Sequence, residues 1–455
     1  MILNENNPSD RRKYPSRWSM MKGKRIFDSV DVRSETGKEE LLTVSHITGI
    51  TPRKMKNVTM FQAESLVGYK RCMVNDIAAN TMWMWQGAIG VSKYEGVISP
   101  SYNVYRQREN YYNPKYLDYL LREPTLVDVY HSLSTGIRPS RLRLYPEQLF
   151  SIDFPIPSIE EQDKIVQYIN WQLSKINKLI YNLRAQIELV KEEKSLVLHN
   201  AFTKGVGKEH EFIECEEPCI EIMPSDWTLS KLKYQCRLYN GDSISDSDKD
   251  KYTTQTEIPY IATKDVDLQS CTANYENGLY VPVGSKFKIA PSGSILLCIE
   301  GGSAGKKKAL LDRDVAFVNK LCAFVATSIN QKYLFYYLCS DIFTLQFKKQ
   351  MTGLIGGVSI STIKRLLIPI PSEKEQKDIV RYLDDRCQKF DCSVIDIEKR
   401  IKLLIELRNK LVSDVITGQI DVRDIEVPEF EYVEEIEDSS DEDEETDGEP
   451  VDEEV

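Results

Sequence analysis

The sequence predicts an α+β protein: two globular heads of mixed α/β structure separated by two long antiparallel coiled-coil helices, in a pseudo-two-fold repeat. Three observations predict it. The chain repeats itself without a gap: Pro155-Ile156-Pro157-Ser158 returns as Pro369-Ile370-Pro371-Ser372, Glu161-Gln162 as Glu375-Gln376, and Tyr168 as Tyr382. Each copy continues into apolar residues spaced alternately four and three apart, the signature of a coiled coil. Each is preceded by short β-rich runs punctuated by Gly, Pro and Asn, which read as strands and turns.

Taken in chain order, residues 1–152 form the first head. Its strand candidates are Leu41 to Val44, Ile89 to Val91 and Gly96 to Ile98, with a glycine turn at Gly87-Ala88-Ile89-Gly90 and a short amphipathic helix over 113–119. Residues 153–207 form the first long helix. Ser158 and Glu161 make a capping box, in which each side chain satisfies the other residue's N–H, and Gly205 terminates the helix. Its seam runs through Ile169, Leu173, Ile176, Ile180, Leu183 and Ile187, and breaks at Lys194. Residues 208–366 form the second head, with strands at Ile258 to Ile261, Ile295 to Ile299 and Leu321 to Val325. A glycine turn at Gly302-Ser303-Ala304-Gly305 and a short helix over 330–336 parallel those of the first head. Residues 367–424 form the second long helix, capped by Ser372 and Glu375 and ended by Gly418. Its seam is Leu383, Phe390, Val394, Ile397, Ile401 and Leu404, broken at Arg408 in the register of Lys194. Two equal seams in one chain most simply bury each other, and a two-fold relation makes the helices antiparallel. Residues 425–455 are read as a disordered acidic tail: from Glu426 onward there are seventeen Asp or Glu and no Lys or Arg, so the segment repels itself and has little to bury. Its simplest role is solubility; folding over a basic DNA groove is the alternative.

Composition excludes several classes. The chain has 455 residues, 41% hydrophobic and 28% charged, normal for soluble domains and too long for one core. No apolar run is long enough to span a bilayer, and the polar N-terminus lacks a signal peptide, so a cytoplasmic protein with no membrane partner is expected. The ten cysteines and four histidines lack zinc-ligand spacing, and each Cys reads as a buried thiol; no metal site is expected. The net charge of −11 resides in the tail, and the remaining body is mildly basic. Gly301 to Lys306 falls one residue short of a phosphate loop and has Lys307 where Ser or Thr should bind magnesium. No Asn-Pro-Pro-aromatic motif is present, and Glu375-Gln376-Lys377 has no acidic partner for nuclease chemistry. No catalytic residues are assigned.

Two unlike heads held apart by stiff helices fit duplex DNA, whose backbone has a local two-fold. The heads carry suitable side chains: Lys54, Lys56, Trp83, Trp85, Gln86, Lys93, Tyr102, Arg138 and Arg141 in the first, with Arg143 nearby, and Lys264, Ser303, Lys306, Lys307, Lys308, Asn319 and Lys320 in the second. Lys and Arg neutralise phosphates, while Arg, Asn and Gln form paired hydrogen bonds to base edges. The alternative is a coiled-coil scaffold that binds proteins rather than DNA.

The doubled Pro-Ile-Pro-Ser-x-x-Glu-Gln-x-x-Ile-Val helix start resembles the specificity subunit of type I restriction–modification enzymes. So does the stretch from Leu407-Arg408 through Ile416-Thr417-Gly418-Gln-Ile420-Asp421. In the second head Pro224-x-Asp-Trp227 and Ile258-Pro-Tyr-Ile261-x-x-Lys-Asp265 carry the likeness, and in the first Trp85 to Ser92 with Gly96 to Tyr102. The resemblance implies two target-recognition domains that read the halves of an asymmetric bipartite DNA site. It also implies two methyltransferase partners, docked at the helix starts around Pro157, Glu161, Gln162, Pro371, Glu375 and Gln376, and in a full complex two restriction subunits. S-adenosylmethionine and ATP with magnesium would be used by those partners; no cofactor is expected on this chain. The acidic tail is not a feature of that family.

Overall fold

The computed structural model describes residues 14–434 apart from 47, 56–64, 137–141, 216, 218, 246–250, 254–257 and 352–355. The chain divides into two compact units. Unit 1 comprises residues 1–184 and 399–455, and unit 2 residues 185–398.

The head of unit 1 is built on a four-stranded antiparallel sheet of β1 (Phe27–Val30), β2 (Ile77–Ala79), β3 (Ile89–Val91) and β4 (Asn103–Gln107), in the order β1-β4-β2-β3. Two hairpin-like pairs, Leu42–Ser45 with Gly49–Pro52 and Lys70–Cys72 with Gly96–Ile98, complete it. Helices α1 (Pro114–Leu121) and α2 (Pro124–Leu133) follow; α1 starts at Asn113, whose side chain accepts from the N–H groups of Lys115 and Tyr116, an N-cap that satisfies two otherwise orphaned donors. Strand Asp153–Ile156 pairs with Ser19–Lys22 and leads into α3 (Ile159–Thr203).

The head of unit 2 repeats this plan. Strands β5 (Cys236–Asn240), β6 (Ile295–Cys298), β7 (Lys308–Leu310) and β8 (Leu321–Ala326) pair in the order β5-β8-β6-β7, again antiparallel throughout. A second sheet joins Ile258–Ile261 in parallel to Val315–Phe317, flanked by Tyr280–Val281 and Ile289–Ala290. Helices α4 (Gln331–Cys339) and α5 (Asp341–Lys349) stand where α1 and α2 stand in unit 1, and Leu367–Ile370 pairs with Thr228–Lys231 before α6 (Glu373–Ile416).

Each unit contains the start of one long helix and the end of the other. In unit 1, Ile165, Val166 and Ile169 of α3 and Val415 and Ile416 of α6 join Phe27, Ile77, Ile89, Leu117 and Phe154 in one core. In unit 2, Leu198, Ala201 and Phe202 of α3 and Ile379, Val380 and Leu383 of α6 join Leu238, Ile295, Phe324, Tyr333 and Tyr337. The helices are therefore antiparallel within each unit. Burying one Phe, Leu or Ile contributes about 1.5–3 kcal/mol, so the helix ends are integral parts of the heads' cores. The expected seam forms the buried stripe: Ile169, Ile176, Ile180, Ile187, Leu383, Phe390 and Ile397 are buried, while Leu173, Leu183, Val394, Ile401 and Leu404 are half-buried. Lys194, the break in the seam, reaches Asp391 at 2.6 Å. Burial pulls its ammonium down, but the hydrogen bond and charge of Asp391 outweigh that and raise it.

Three expectations are corrected. The capping boxes form only in part: Ser158 and Ser372 accept from Glu161 and Glu375 N–H, but Glu161 turns to the Arg17 guanidinium and Glu375 to the His210 ring. For Glu161, a charged partner is worth more to the carboxylate than one more backbone N–H. The tail does not begin at 425, because Val433 donates to Ser174 Oγ at 3.2 Å and accepts from Asn177 Nδ2 at 2.9 Å, fastening that segment to α3. The remainder, 435–455, lies outside the described residues. Finally, the ten cysteines are free, but Cys392 is exposed and Cys215, Cys271 and Cys339 are only half-buried.

Candidate nucleic-acid interface

In each head the second and third strands of the four-stranded sheet are joined by a glycine turn. In unit 1 the turn spans 80–88 and carries Trp83, Trp85 and Gln86, all half-buried. The two indoles stack at 6.1 Å and 18°, Trp85 Nε1 donates to the Met82 carbonyl at 2.9 Å, and the Trp85 ring meets His131 of α2. Gly87 closes the turn at φ 89°, with a Cβ there placed 3.0 Å from Val127 of α2. In unit 2 the equivalent turn spans 299–307. Gly305 has φ 75°, and a Cβ there would lie 2.7 Å from Phe347 of α5. Both turns thus rest on the second helix of the pair at a position only glycine fits.

A late loop stands beside each turn. In unit 1, Thr135 and Arg143 exchange backbone hydrogen bonds, and Leu144 N–H donates to the Thr81 carbonyl. In unit 2, Gly301 N–H donates to Gly356 and Val358 N–H to Ile299. Arg138 and Arg141 lie outside the described residues, between these flanks, as does Lys56 in its own segment.

The named residues of unit 2 come together around its turn. Lys307 Nζ donates to the Thr263 carbonyl at 3.3 Å, which sets Lys264 beside it, and the Lys320 carbonyl accepts from Ile299 at 3.0 Å. Lys264, Lys306, Asn319 and Lys320 are exposed; Ser303 and Lys307 are half-buried. The Ser303 carbonyl accepts from the N–H groups of Lys306 and Lys307. Lysines at and beside this turn are suited to a polyanion such as a phosphate backbone, and Asn319 to reading a base edge.

Four placements differ from expectation. Lys308 is buried and donates at 2.7 Å to the Leu338 carbonyl near the end of α4, because β7 begins there and its alternation turns that side chain inward. Tyr102 is buried, its hydroxyl accepting from Asn80 Nδ2 at 3.0 Å. Lys54 pairs with Glu40 at 2.5 Å, and exposed Lys93 follows β3, at the far end of that strand from the turn.

The six helix-start residues, Pro157, Glu161, Gln162, Pro371, Glu375 and Gln376, are all buried within this chain, so they do not offer the docking surface the resemblance implied. Gln162 Nε2 donates to the carbonyls of Tyr111 and Pro157, and its Oε1 accepts from Asn113 N–H at 2.8 Å. Gln376 does the same for Pro371 and Asn330 N–H at 2.8 Å. Each glutamine therefore locks the short helix to the long one. Sequence reading missed the groups that complete this joint. Gly418 packs on Trp18 and Gly205 on Trp227. Beside them an ion pair is exchanged in sign: Arg17 with Asp421 at 3.7 Å in unit 1, Lys208 with Asp226 at 2.6 Å in unit 2. The signal was available in Pro15-Ser-Arg-Trp18 and Pro224-Ser-Asp-Trp227.

Among the described residues no helix is long and apolar enough to cross a membrane, and no group of three or more His, Cys, Asp or Glu is placed to hold a metal ion. Residues 224–407 match the domain family described as type I restriction modification DNA specificity domain. The type I restriction enzyme MjaVIII specificity subunit of Methanocaldococcus jannaschii is 25% identical over 377 residues, 78% of this chain and 82% of that protein. The MjaIX specificity subunit of the same organism is 22% identical, over 81% of this chain and 79% of that one. A chain from a solved structure described as the structural basis of complex assembly and conformational transition of the type I R-M system superposes with a TM-score of 0.65 at 16% identity. The match covers 90% of this chain and 100% of that one, and so shares its fold. Over residues 224–407 the chain thus matches the type I restriction modification DNA specificity domain, and over most of its length it is similar to type I restriction enzyme specificity subunits.

Proposed function

We propose that this chain is the DNA-recognition subunit of a type I restriction–modification system, and that it acts by binding rather than catalysis. Each head reads one half of an asymmetric bipartite target, and the long helices set the length of the unread spacer. The observation that carries this reading is the repeat of one sheet order, β1-β4-β2-β3 and β5-β8-β6-β7, with an equivalent turn on each sheet bearing different side chains. Equivalent placement supports the same mode of docking; different side chains support different bases. The turn in unit 1 offers aromatic faces and an amide, that in unit 2 a cluster of ammonium groups.

The partners are duplex DNA and methyltransferase subunits. Two methyltransferases per chain would suit the doubled head-and-helix plan, and two restriction subunits would join in a full complex. S-adenosylmethionine and ATP with magnesium are used by those subunits, and the assembly works in the cytoplasm. Because the helix-start residues are internal, the methyltransferases dock on the outer surfaces of the helices. Sequencing methylated adenines genome-wide in cells carrying this chain and its methyltransferase tests the reading. A split, asymmetric motif is expected; methylation at a continuous palindrome, or none, overturns it.

A further inference from the structure

The long helices are unevenly charged. Within their unit 1 portions, the stretches 171–184 of α3 and 399–410 of α6 hold eight Lys or Arg and one acidic residue, Glu406, while Glu160, Glu161, Asp163 and Asp414 lie nearer the helix ends. The unit 2 portion of α6, residues 373–398, holds eight acidic against five basic side chains. In unit 1, Lys175, Lys178, Lys399, Arg400, Lys402 and Lys410 are exposed. None of these six has an ion-pair partner among the described residues, although Lys175 stands 3.5 Å over the Trp171 ring. Leu403 and Leu407, 55% and 52% exposed, share a face of α6 with Lys399 and Lys410. A basic, partly apolar helix face left open in this way attracts polyanions.

The chain supplies one. Beyond Gly418 it runs back along α3: Lys164 donates to the Arg423 carbonyl, and Val433 is held by Ser174 and Asn177. The segment thus advances along α3 toward the basic stretch, its Tyr432 ring 6.0 Å from Lys115 Nζ. Glu434 stands beside the last anchor, and the next twenty-one residues hold thirteen Asp or Glu and no Lys or Arg. At about 3.3 Å per extended residue, they readily span the roughly 10 Å from Asn177 to the end of the unit 1 portion of α3.

We infer that residues 435–455 bind back on the basic face of the helix pair in unit 1, an internal polyanion covering a surface that would otherwise take up DNA or an acidic protein. Tethering one turn away from its site gives the segment a millimolar effective concentration, so several weak, screened ion pairs suffice. The contact is electrostatic and weakens as salt shortens the Debye length.

Zero-length carbodiimide coupling of the full chain, followed by peptide mass spectrometry, tests this. Cross-links from the acidic residues of 435–455 are expected to concentrate on Lys175, Lys178, Lys399, Lys402 and Lys410, within one chain, and to fall at least threefold in 0.5 M salt. In the variant Lys399→Glu, Arg400→Glu, Lys402→Glu, those to Lys175, Lys178 and Lys410 should fall similarly. Cross-links chiefly to Lys264, Lys306, Lys307 and Lys320 would place the segment on a head and overturn the inference. Equal coupling to Lys374, Lys377 and Lys389, or coupling only between chains, would also overturn it. The wild-type salt series keeps the test valid even where the triple variant folds poorly.

Discussion

Gln162 and Gln376 perform the same task in the two units: each joins a long helix to the N-cap asparagine of a short one and to the proline-rich strand before it. Truncating Gln162, itself 0% exposed, to Ala strands the Tyr111 and Pro157 carbonyls and the N–H of half-buried Asn113. Each buried group left unpaired costs about 1–3 kcal/mol, so Gln162→Ala should destabilise unit 1 by about 3 kcal/mol in urea unfolding followed by probes in each unit. A loss below 1 kcal/mol would mean water replaces the amide. Arg17 and Asp421 on one side, and Lys208 and Asp226 on the other, preserve a charge pair with its signs exchanged. The Lys208 hydrogen bond lowers the Asp226 carboxyl from its ordinary 3.8; desolvation opposes this, and a hydrogen bond from His210 adds to it. A depressed carboxyl contributes stability that is full above its unfolded value and lost as pH falls through the folded one. The difference in melting temperature between the wild type and Asp226→Asn should therefore be constant near neutrality and vanish as pH falls below about 4; a difference persisting at pH 2 would assign Asp226 a role other than charge.

Between residue and unit, the glycine turns are the elements to which the proposed function assigns recognition. Gly305→Ala forces a side chain into φ 75° and against Phe347, at a cost of about 1–3 kcal/mol. It should also blur the half-site read by unit 2 while leaving the other half intact in methylation mapping. Lys306, Lys307 and Lys308 are consecutive but not equivalent. Losing Lys306 and Lys307 to Ala should weaken DNA binding and reduce the salt slope by up to about 1.8, about 0.9 per phosphate contact. Lys308→Ala should instead lower the melting temperature, because it strands the Leu338 carbonyl. If Lys308→Ala melted normally and lost the same salt slope, its assignment to the interior would be wrong. The sequence alone could not separate the three, since which lysine turns inward depends on where β7 begins and on its pairing with β6. The same holds for Tyr102, whose fate is set by Asn80 across the sheet. By contrast the long helices were legible throughout, because heptad spacing and glycine stops are local. So were the first short helix of each head, the turn positions and the strands at β3, β6 and β8, but α2, α5 and strands β1, β2, β4, β5 and β7 were not. The order β1-β4-β2-β3 was not, because β1 and β4 pair across more than seventy residues of intervening chain.

At the scale of the whole molecule, α3 and α6 are continuous through the division between the two units, at 45 and 44 residues. Their length is therefore a variable that can be changed without touching either head. A ruler must satisfy translation and phase together. Adding three heptads to each helix at the 184/185 and 398/399 positions lengthens each by about 31 Å at about 1.5 Å per residue. That is close to one turn of duplex, about 34–36 Å, so the helical phase between the half-sites is restored. Methylation should then move to a motif with both half-sites unchanged and a spacer longer by about nine or ten base pairs. Adding one heptad gives about 10 Å, or roughly three base pairs. It turns the heads little, because a heptad nearly closes two helical turns, whereas three base pairs turn the duplex through nearly a third of a revolution. The single insertion should therefore methylate poorly at any spacer, and insertion into only one helix should unpair the seam and abolish recognition. A three-heptad chain that keeps the original spacer, or that reads different bases, would show that something other than helix length sets the separation.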